Sequence, residues 1–249
     1  MASLDGKVAI VTGSSSGIGM AIARSLHAEG VTVVVNSARS VEAGTALAEE
    51  LGSTYVQADV SDGAHADRLV AATVEAHGRL DILVNNAGTT EVIPHHDLAA
   101  VTDEVWHRIL DVNVLGTWKV TCAAVPHLEA SGAGSVVNIT SIAGVRPRGS
   151  SIPYAVSKAA DMQLARALAV EWGPKGIRVN SIAPGLVKTD FARALWEDPV
   201  NLKKRTRDTP LLRIGEPDEI AGAAIFLASP AASYMVGSVL TVDGGWTAK

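Results

Sequence analysis

The chain has 249 residues, 47% of them apolar and 19% charged, with a formal net charge of −5, which excludes disorder for most of its length and suits one α/β domain or two small ones. An acidic balance with no basic stripe argues against nucleic acid, whose phosphates demand clustered Lys and Arg. The single cysteine, Cys122, has no internal partner, the strand-like run from Lys7 leaves no room for a cleaved signal, and no apolar run approaches the roughly 18 residues of a membrane span, so a soluble cytoplasmic protein is expected.

Short β-branched runs alternate with longer segments of helical period. Strands are predicted at Val8–Val11, Val31–Val35, Thr54–Gln57, Ile82–Val84, Ser135–Ile139, Arg178–Ile182 and Val239–Val242. Between them, helices are predicted at Ile18–Ala28, Val41–Leu51, Ala64–His77, Asp103–Leu128, Tyr154–Trp172 and Asp218–Leu227. Continuous apolar strands alternating with helices predict a doubly wound parallel sheet of Rossmann type, covered on both faces. With no linker or repeat, the whole chain, 1–249, reads as one domain. Residues 189–212, interrupted by Pro199 and Pro210, read as a substrate lid over the carboxyl ends of the strands.

Directly after the first strand stands Thr12-Gly13-Ser14-Ser15-Ser16-Gly17-Ile18-Gly19. Glycines there let the backbone turn sharply and approach a pyrophosphate, and the free N–H groups of the following helix attract it. The Gly-x3-Gly-x-Gly spacing differs from the more general Gly-x-Gly-x-x-Gly, but its place between strand and helix supports a dinucleotide site. After the second strand comes Asn36-Ser37-Ala38-Arg39-Ser40, with no acid before Glu42. A carboxylate would hold the ribose 2′-hydroxyl of NAD and repel a 2′-phosphate, so Ser37 and Arg39 favour NADP, with NAD the alternative.

Hydride transfer to a carbonyl puts negative charge on oxygen and needs a proton donor there. Tyr154 and Lys158 are four apart in a helical segment, so they share one face about 6 Å apart along the axis. A nearby ammonium favours the phenolate, which is expected to lower the phenol's proton affinity. The seven histidines show no metal spacing, and His95-His96 beside Pro94 reads as a loop, so no metal site is expected. Arg146 and Arg148 read as surface residues that an anionic substrate could meet, and Lys203, Lys204, Arg205 and Arg207 as a solvated helix face.

Together with Asn85-Asn86-Ala87-Gly88 after the fourth strand, Asn113 twenty-eight residues before Ser141, and Ser141 thirteen before Tyr154, these features resemble the short-chain dehydrogenase/reductase family from Lys7 to Gly245. The resemblance implies an NAD(P)-dependent oxidoreductase acting on ketones or secondary alcohols. It implies that Tyr154 is the general acid in reduction and the base in oxidation, and that Ser141 hydrogen-bonds the substrate oxygen. Lys158 would lower the Tyr154 pKa and bind nicotinamide-ribose hydroxyls, while Asn113 would link Lys158 to solvent. Gly13, Ser15, Gly17, Ile18 and Gly19 match the pyrophosphate turn, Asp59 and Val60 the pair beside adenine, and Asn86, Ala87 and Gly88 the adenine-ribose segment. Pro184 to Thr189 match the nicotinamide segment, in which Pro184, Gly185, Val187 and Thr189 are the cofactor contacts. Within the family the chain resembles 3-oxoacyl-thioester reductases and NADP-dependent carbonyl reductases, although the Glu129 to Gly134 loop carries no base and only Lys175 matches the residues that dock an acidic carrier.

Phe191, Leu195 and Trp196 in the lid predict a medium-sized, mainly apolar ketone or alcohol. The segments Asp103–Leu128 and Tyr154–Trp172 are apolar over more than one face, which predicts a homodimer or homotetramer. The competing reading is a catalytically silent nucleotide-binding regulatory protein on the same fold, and the intact Asn113, Ser141, Tyr154 and Lys158 set argues against it.

Overall fold

In a computed structural model, which describes residues 3–94, 96–147 and 150–249, each predicted apolar run becomes a strand of one sheet. The strands are β1 (Val8–Val11), β2 (Thr32–Ser37), β3 (Tyr55–Gln57), β4 (Ile82–Asn85), β5 (Ser135–Ile139), β6 (Arg178–Pro184) and β7 (Val239–Val242). They lie in the order β3-β2-β1-β4-β5-β6-β7, and every pairing is parallel. The winding direction reverses between β1 and β4, so a crevice opens at their carboxyl ends.

Alternation along the strands feeds two cores. Ala9 and Val11 of β1 and Val33 and Val35 of β2 face α1 (Gly17–Ala28), α2 (Val41–Glu50) and α9 (Pro217–Ala228). Ile10 and Val34 point the other way, against α3 (Gly63–His77), α5 (Thr117–Ala130) and α6 (Ile152–Trp172). Burial on both faces is why these strands carry no polar alternation. No described helix is long and apolar enough to cross a membrane.

Two predicted elements differ from the structure. The Asp103–Leu128 helix is broken into α4 (Asp103–Leu110), a π-turn at Asp111–Gly116, and α5. A π-turn inserts one residue into the helical ladder, and here it accompanies two local demands: Gly116 lies so close to β3's outgoing loop that a Cβ would sit 2.7 Å from Val60 Cγ2, and Thr117 Oγ1 donates to the Asn113 carbonyl at 3.1 Å. Hydrophobic period cannot register such a shift. Within 189–212 the prolines bound a helix rather than interrupt one. Pro199 opens α8 (Pro199–Arg207) behind the cap Asp198, which accepts from Asn201 N at 2.7 Å, and Pro210 follows its end, where it covers Gly245. Between β6 and α8 lie a 3-10 turn (Asp190–Ala192) and α7 (Arg193–Trp196).

Asp81, unremarked in the sequence, fixes the start of β4 against β1. Its carboxylate accepts from Val8 N at 3.0 Å and from Arg79 Nε and Nη2 at 2.8 and 2.7 Å, with Lys7 at 3.6 Å. Burial alone would raise its pKa, but the Arg79 and Val8 hydrogen bonds win and hold it below the ordinary carboxylate range. A depressed folded pKa means that the contribution is complete above the unfolded value near about 4 and is lost as pH falls through the folded one. Asp81→Ala is expected to lower unfolding free energy by about 2–3 kcal/mol at pH 7, with the deficit narrowing toward pH 3. Urea titration at both pH values checks this, and an equal deficit at both would contradict it.

Candidate active site

A cleft of about 1040 Å³ runs across the carboxyl ends of β1, β2, β4, β5 and β6. One half of it is built on one threonine and two asparagines. Thr12 Oγ1 accepts from Asn86 N and Ala87 N, both at 3.0 Å, and Asn86 Nδ2 donates to the carbonyls of Thr12 and Gly13 at 2.9 and 3.0 Å. Asn36 Oδ1 accepts from Gly13 N at 3.2 Å while its Nδ2 donates to Val56 O and Ala58 O at 3.0 Å. The turn after β1 is thereby held from β2, β3 and β4 at once.

Gly13 and Gly17 adopt left-handed φ values of +61° and +56°, which side chains resist. Gly19 is required for space instead: a Cβ there would lie 2.4 Å from Asn86 Nδ2 and 2.6 Å from the Gly13 carbonyl. Ser16, at the N-cap of α1, makes no side-chain cap and the first turn holds no acid, so the helix's leading N–H groups are left for an anion. That arrangement fits a pyrophosphate. Gly13, Ser15, Gly17 and Ile18 line the cleft, as do Asn86, Ala87 and Gly88, with Gly19 buried behind them.

At the far end Ser37, Arg39, Asp59 and Val60 line the same cleft. Ser37 Oγ donates to Ser40 O at 3.1 Å and lies 2.9 Å from Tyr55 Oη. The Asp59 carboxylate turns to Ser61, accepting from its N and Oγ at 3.0 and 2.7 Å.

The other half rests on β5 and α6. Ser141 follows β5 and its Oγ accepts from Ala143 N at 3.1 Å, and Ser141 and Tyr154 both line the cleft. Lys158 Nζ donates to the Ile139 carbonyl at 2.9 Å and lies 6.0 Å from the Tyr154 ring centroid. Asn113, delivered by the π-turn, stands behind the cleft. Its Oδ1 accepts from Thr89 N at 2.7 Å, and its Nδ2 donates to Thr89 O and to Ser157 Oγ, both at 3.0 Å. A Cβ at Gly88 would lie 3.4 Å from Asn113 Oδ1 and 3.7 Å from Lys158 Nζ, so the glycine keeps these two groups facing a common space. Pro184, Gly185, Val187 and Thr189 close the side opposite Gly88.

Burial pushes the Tyr154 phenol up to about 12, with the nearby Ser141 hydroxyl opposing and the negative charge of Asp161 adding to it. The expected lowering by Lys158 is therefore not what the structure shows: burial outweighs a cation 6.0 Å away from the ring. Burial pulls the lysine down in turn, and Asp161 restores it in part. Sequence reasoning missed Asp161, Asn36, Asn138 and Ser157. A lone acid three residues after Lys158, on a helix otherwise apolar toward the sheet, was the one signal available.

The match to known proteins is whole-chain. Residues 13–247 fit the family model described as Enoyl-(Acyl carrier protein) reductase. A Streptomyces violaceoruber protein, Granaticin polyketide synthase putative ketoacyl reductase 2, is 55% identical over 240 residues, covering 96% of this chain and 95% of its own. The chain belongs to the short-chain dehydrogenase/reductase family. Another short-chain relative, Galactitol 2-dehydrogenase (L-tagatose-forming) of Cereibacter sphaeroides, is 42% identical over 98% of this chain and 96% of its own. A gluconate 5-dehydrogenase from Burkholderia cenocepacia J2315, crystallised in complex with NADP and tartrate, superposes with a TM-score of 0.93 at 35% identity, covering 99% of this chain and 97% of that one. As a member of the short-chain dehydrogenase/reductase family the protein is an NAD(P)-dependent oxidoreductase of carbonyls and alcohols.

Other predicted contacts fall in different places. Phe191 and Leu195 line the cleft, but Trp196 does not. Its indole Nε1 donates to Thr189 O at 2.9 Å with Lys188 over the ring, so it anchors the segment rather than meeting a substrate. Lys203, Lys204 and Arg207 are exposed, whereas Arg205 reaches both the main cleft and a neighbouring cavity of about 360 Å³ beneath α8. Arg146 stacks on Trp246 at 5.3 Å and bonds the Lys249 carbonyl, and Lys175 pairs with Glu129 at 3.3 Å. His95 and Arg148 lie outside the described residues, among which no cluster of His, Cys, Asp and Glu could hold a metal ion.

Gly19→Ala is expected to displace Asn86 and weaken nicotinamide dinucleotide binding by about tenfold or more while leaving the fold intact. Calorimetric titration with circular dichroism checks this; unchanged affinity would place the nucleotide elsewhere.

Proposed function

We propose that the enzyme reduces medium-sized, mainly apolar ketones of the 3-oxoacyl-thioester or general carbonyl type with NADP as its favoured cofactor, Tyr154 serving as the general acid. The observation that carries this reading is the convergence of Ser141, Tyr154 and Lys158 in one cleft that Ile93, Leu186, Phe191 and Leu195 also line, where burial raises the Tyr154 phenol and so favours its role as a proton donor. The identity to a relative named as a ketoacyl reductase supports the substrate class. An acid-free turn carrying Arg39 supports NADP over NAD, since a guanidinium attracts a 2′-phosphate, and the superposed gluconate 5-dehydrogenase holds NADP.

A bound nicotinamide supplies the hydride in reduction and accepts it in oxidation. Gly13, Ser15, Gly17, Ile18 and Gly19 would hold the pyrophosphate, Asn86 to Gly88 the adenine ribose, Asp59 and Val60 the adenine, and Pro184, Gly185, Val187 and Thr189 the nicotinamide carboxamide. At the carbonyl, Ser141 Oγ hydrogen-bonds the oxygen and Tyr154 gives it a proton as negative charge develops there. Lys158 binds ribose hydroxyls and keeps positive charge beside the phenol, and Asn113 fixes the floor through which Lys158 communicates with solvent. In oxidation the phenol gives up its proton first, which its raised pKa makes harder. Reduction should therefore hold level through neutral pH, while oxidation climbs as pH rises.

Residues 189–212 act in this reading as the lid of a one-domain enzyme, with Trp196 as its anchor on Thr189. Lys175, paired with Glu129, offers little to an acidic carrier protein. The stacked pair Trp118–Trp172, 6.5 Å apart, and the exposed Leu115, Val156 and Val170 on and beside α5 and α6 support assembly into a homodimer or homotetramer. A reducing, cytoplasmic setting fits the unpaired Cys122.

Wild-type enzyme assayed on apolar ketones and on polyols with each cofactor is expected to prefer NADPH and the ketones. A preference of about tenfold or more for NAD, or for polyols, overturns the corresponding assignment. Tyr154→Phe is expected to cut turnover about 10³-fold or more with cofactor affinity nearly unchanged, because the ring and its packing against Phe191 remain. Comparable turnover in the two proteins would remove Tyr154 from the chemistry.

A further inference from the structure

The side of α6 that faces the sheet is apolar or small except at Lys158 and, one turn on, Asp161. Asp161 is 1% exposed, with Oδ2 3.9 Å from Lys158 Nζ and Oδ1 accepting from Asn138 Nδ2 at 3.0 Å. Asn138 Oδ1 in turn accepts from Asn85 Nδ2 at 3.0 Å, and Asn85 Nδ2 also donates to Thr121 Oγ1 at 2.9 Å. The amide of Asn138 is thus held from β4 and α5 so that its N–H points at the carboxylate. Packing alone gives no reason for an acid here, since an isolated buried carboxylate is strongly disfavoured and an apolar side chain would fill the site.

We propose that Asp161 is the counter-ion of Lys158 and a positioning residue of the acid–base pair: its charge holds the proton on both Lys158 and Tyr154 and so sets the pH range in which the site works. This rests on Tyr154 being the general acid. An anion raises the proton affinity of every neighbouring group, so one carboxylate keeps the lysine cationic in a place where burial opposes charge, and keeps the phenol able to donate. Lys158 faces Asp161 directly, and Tyr154 stands about two turns before Asp161 on α6; β5 presents Asn138, β4 Asn85 and α5 Thr121, none of which titrates. Glu104, His107 and Arg108 of α4, Asp111 of the π-turn and Arg178 of β6 belong to elements packed nearby, but Lys158 is the charge that bears on the carboxyl. Burial raises Asp161 itself to about 6, with Lys158 and then Asn138 opposing. The three groups therefore titrate as a coupled set.

The test compares wild type, Asp161→Asn, Lys158→Met and Tyr154→Phe. In the cofactor-free protein, ¹³C carboxyl titration should show one aspartate resonance, absent from D161N, that titrates above the ordinary range and moves higher in K158M, where the opposing cation is gone. In steady-state assays, D161N should shift the alkaline limb of kcat/KM for reduction, and the acidic limb for oxidation, to lower pH by about one unit or more. An aspartate titrating in the ordinary range, one unmoved by K158M, or a D161N profile that falls in height without shifting, overturns the proposal. Should D161N fail to fold, Asn138→Leu replaces it: losing that hydrogen bond should raise the same carboxyl resonance, and an unmoved resonance counts against the proposal. Full activity in Tyr154→Phe would instead refute the reading of Tyr154, whatever Asp161 does.

Discussion

A parallel sheet buried on both faces leaves only one place for polar chemistry. The strands use their own N–H and C=O groups in the ladders, and apolar side chains fill both faces, so functional groups collect where the chain leaves the sheet. Because every strand runs the same way, all those exits lie along one edge. The turn after β1, Asn86 to Gly88 after β4, Ser141 after β5 and Gly185 to Thr189 after β6 come together for that reason alone.

What holds the exits in register is a set of asparagines. An asparagine both donates and accepts, and can therefore tie two elements that would otherwise meet only through apolar packing. Asn36 links the glycine turn to β3, Asn86 closes that turn from β4, Asn113 connects Thr89 to α6, and Asn138 joins β5 to both Asn85 and Asp161. Buried amides are unfavourable unless satisfied, and Asn36, Asn86, Asn113 and Asn138 each make at least two side-chain bonds, whereas Asn85 donates twice but leaves its Oδ1 without a partner.

Electrostatics in this interior run against intuition drawn from spacing. A lysine four residues from a tyrosine suggests an acidified phenol, yet burial is the largest influence on Tyr154 and carries its proton affinity upward. Desolvation acts on a group wherever water is excluded, whereas the lysine's charge is shared with Asp161 and falls off with distance. The result is a phenol that holds its proton more firmly than a solvated tyrosine does.

The alternation of strands and helices, two-sided burial and the glycine turn were legible in the sequence because each depends on local pattern: apolar runs of the right length, helical period and glycines at a strand exit. Tyr154 and Lys158 could be paired from spacing, since they share a helix face, whereas Ser141 and Asn113 were named only through the resemblance to the family. The π-turn that delivers Asn113, the role of Trp196 as an anchor, the caps formed around Pro199 and Pro210, and the pairing of Asp161 with Lys158 and Asn138 were decided only by tertiary structure. Each depends on a partner far away in sequence, whose distance and access to water no local pattern records. The alternation of apolar strands with helices thus determined the kind of fold, and the packing of that fold decided which charges lie buried against one another, as Lys158 and Asp161 do.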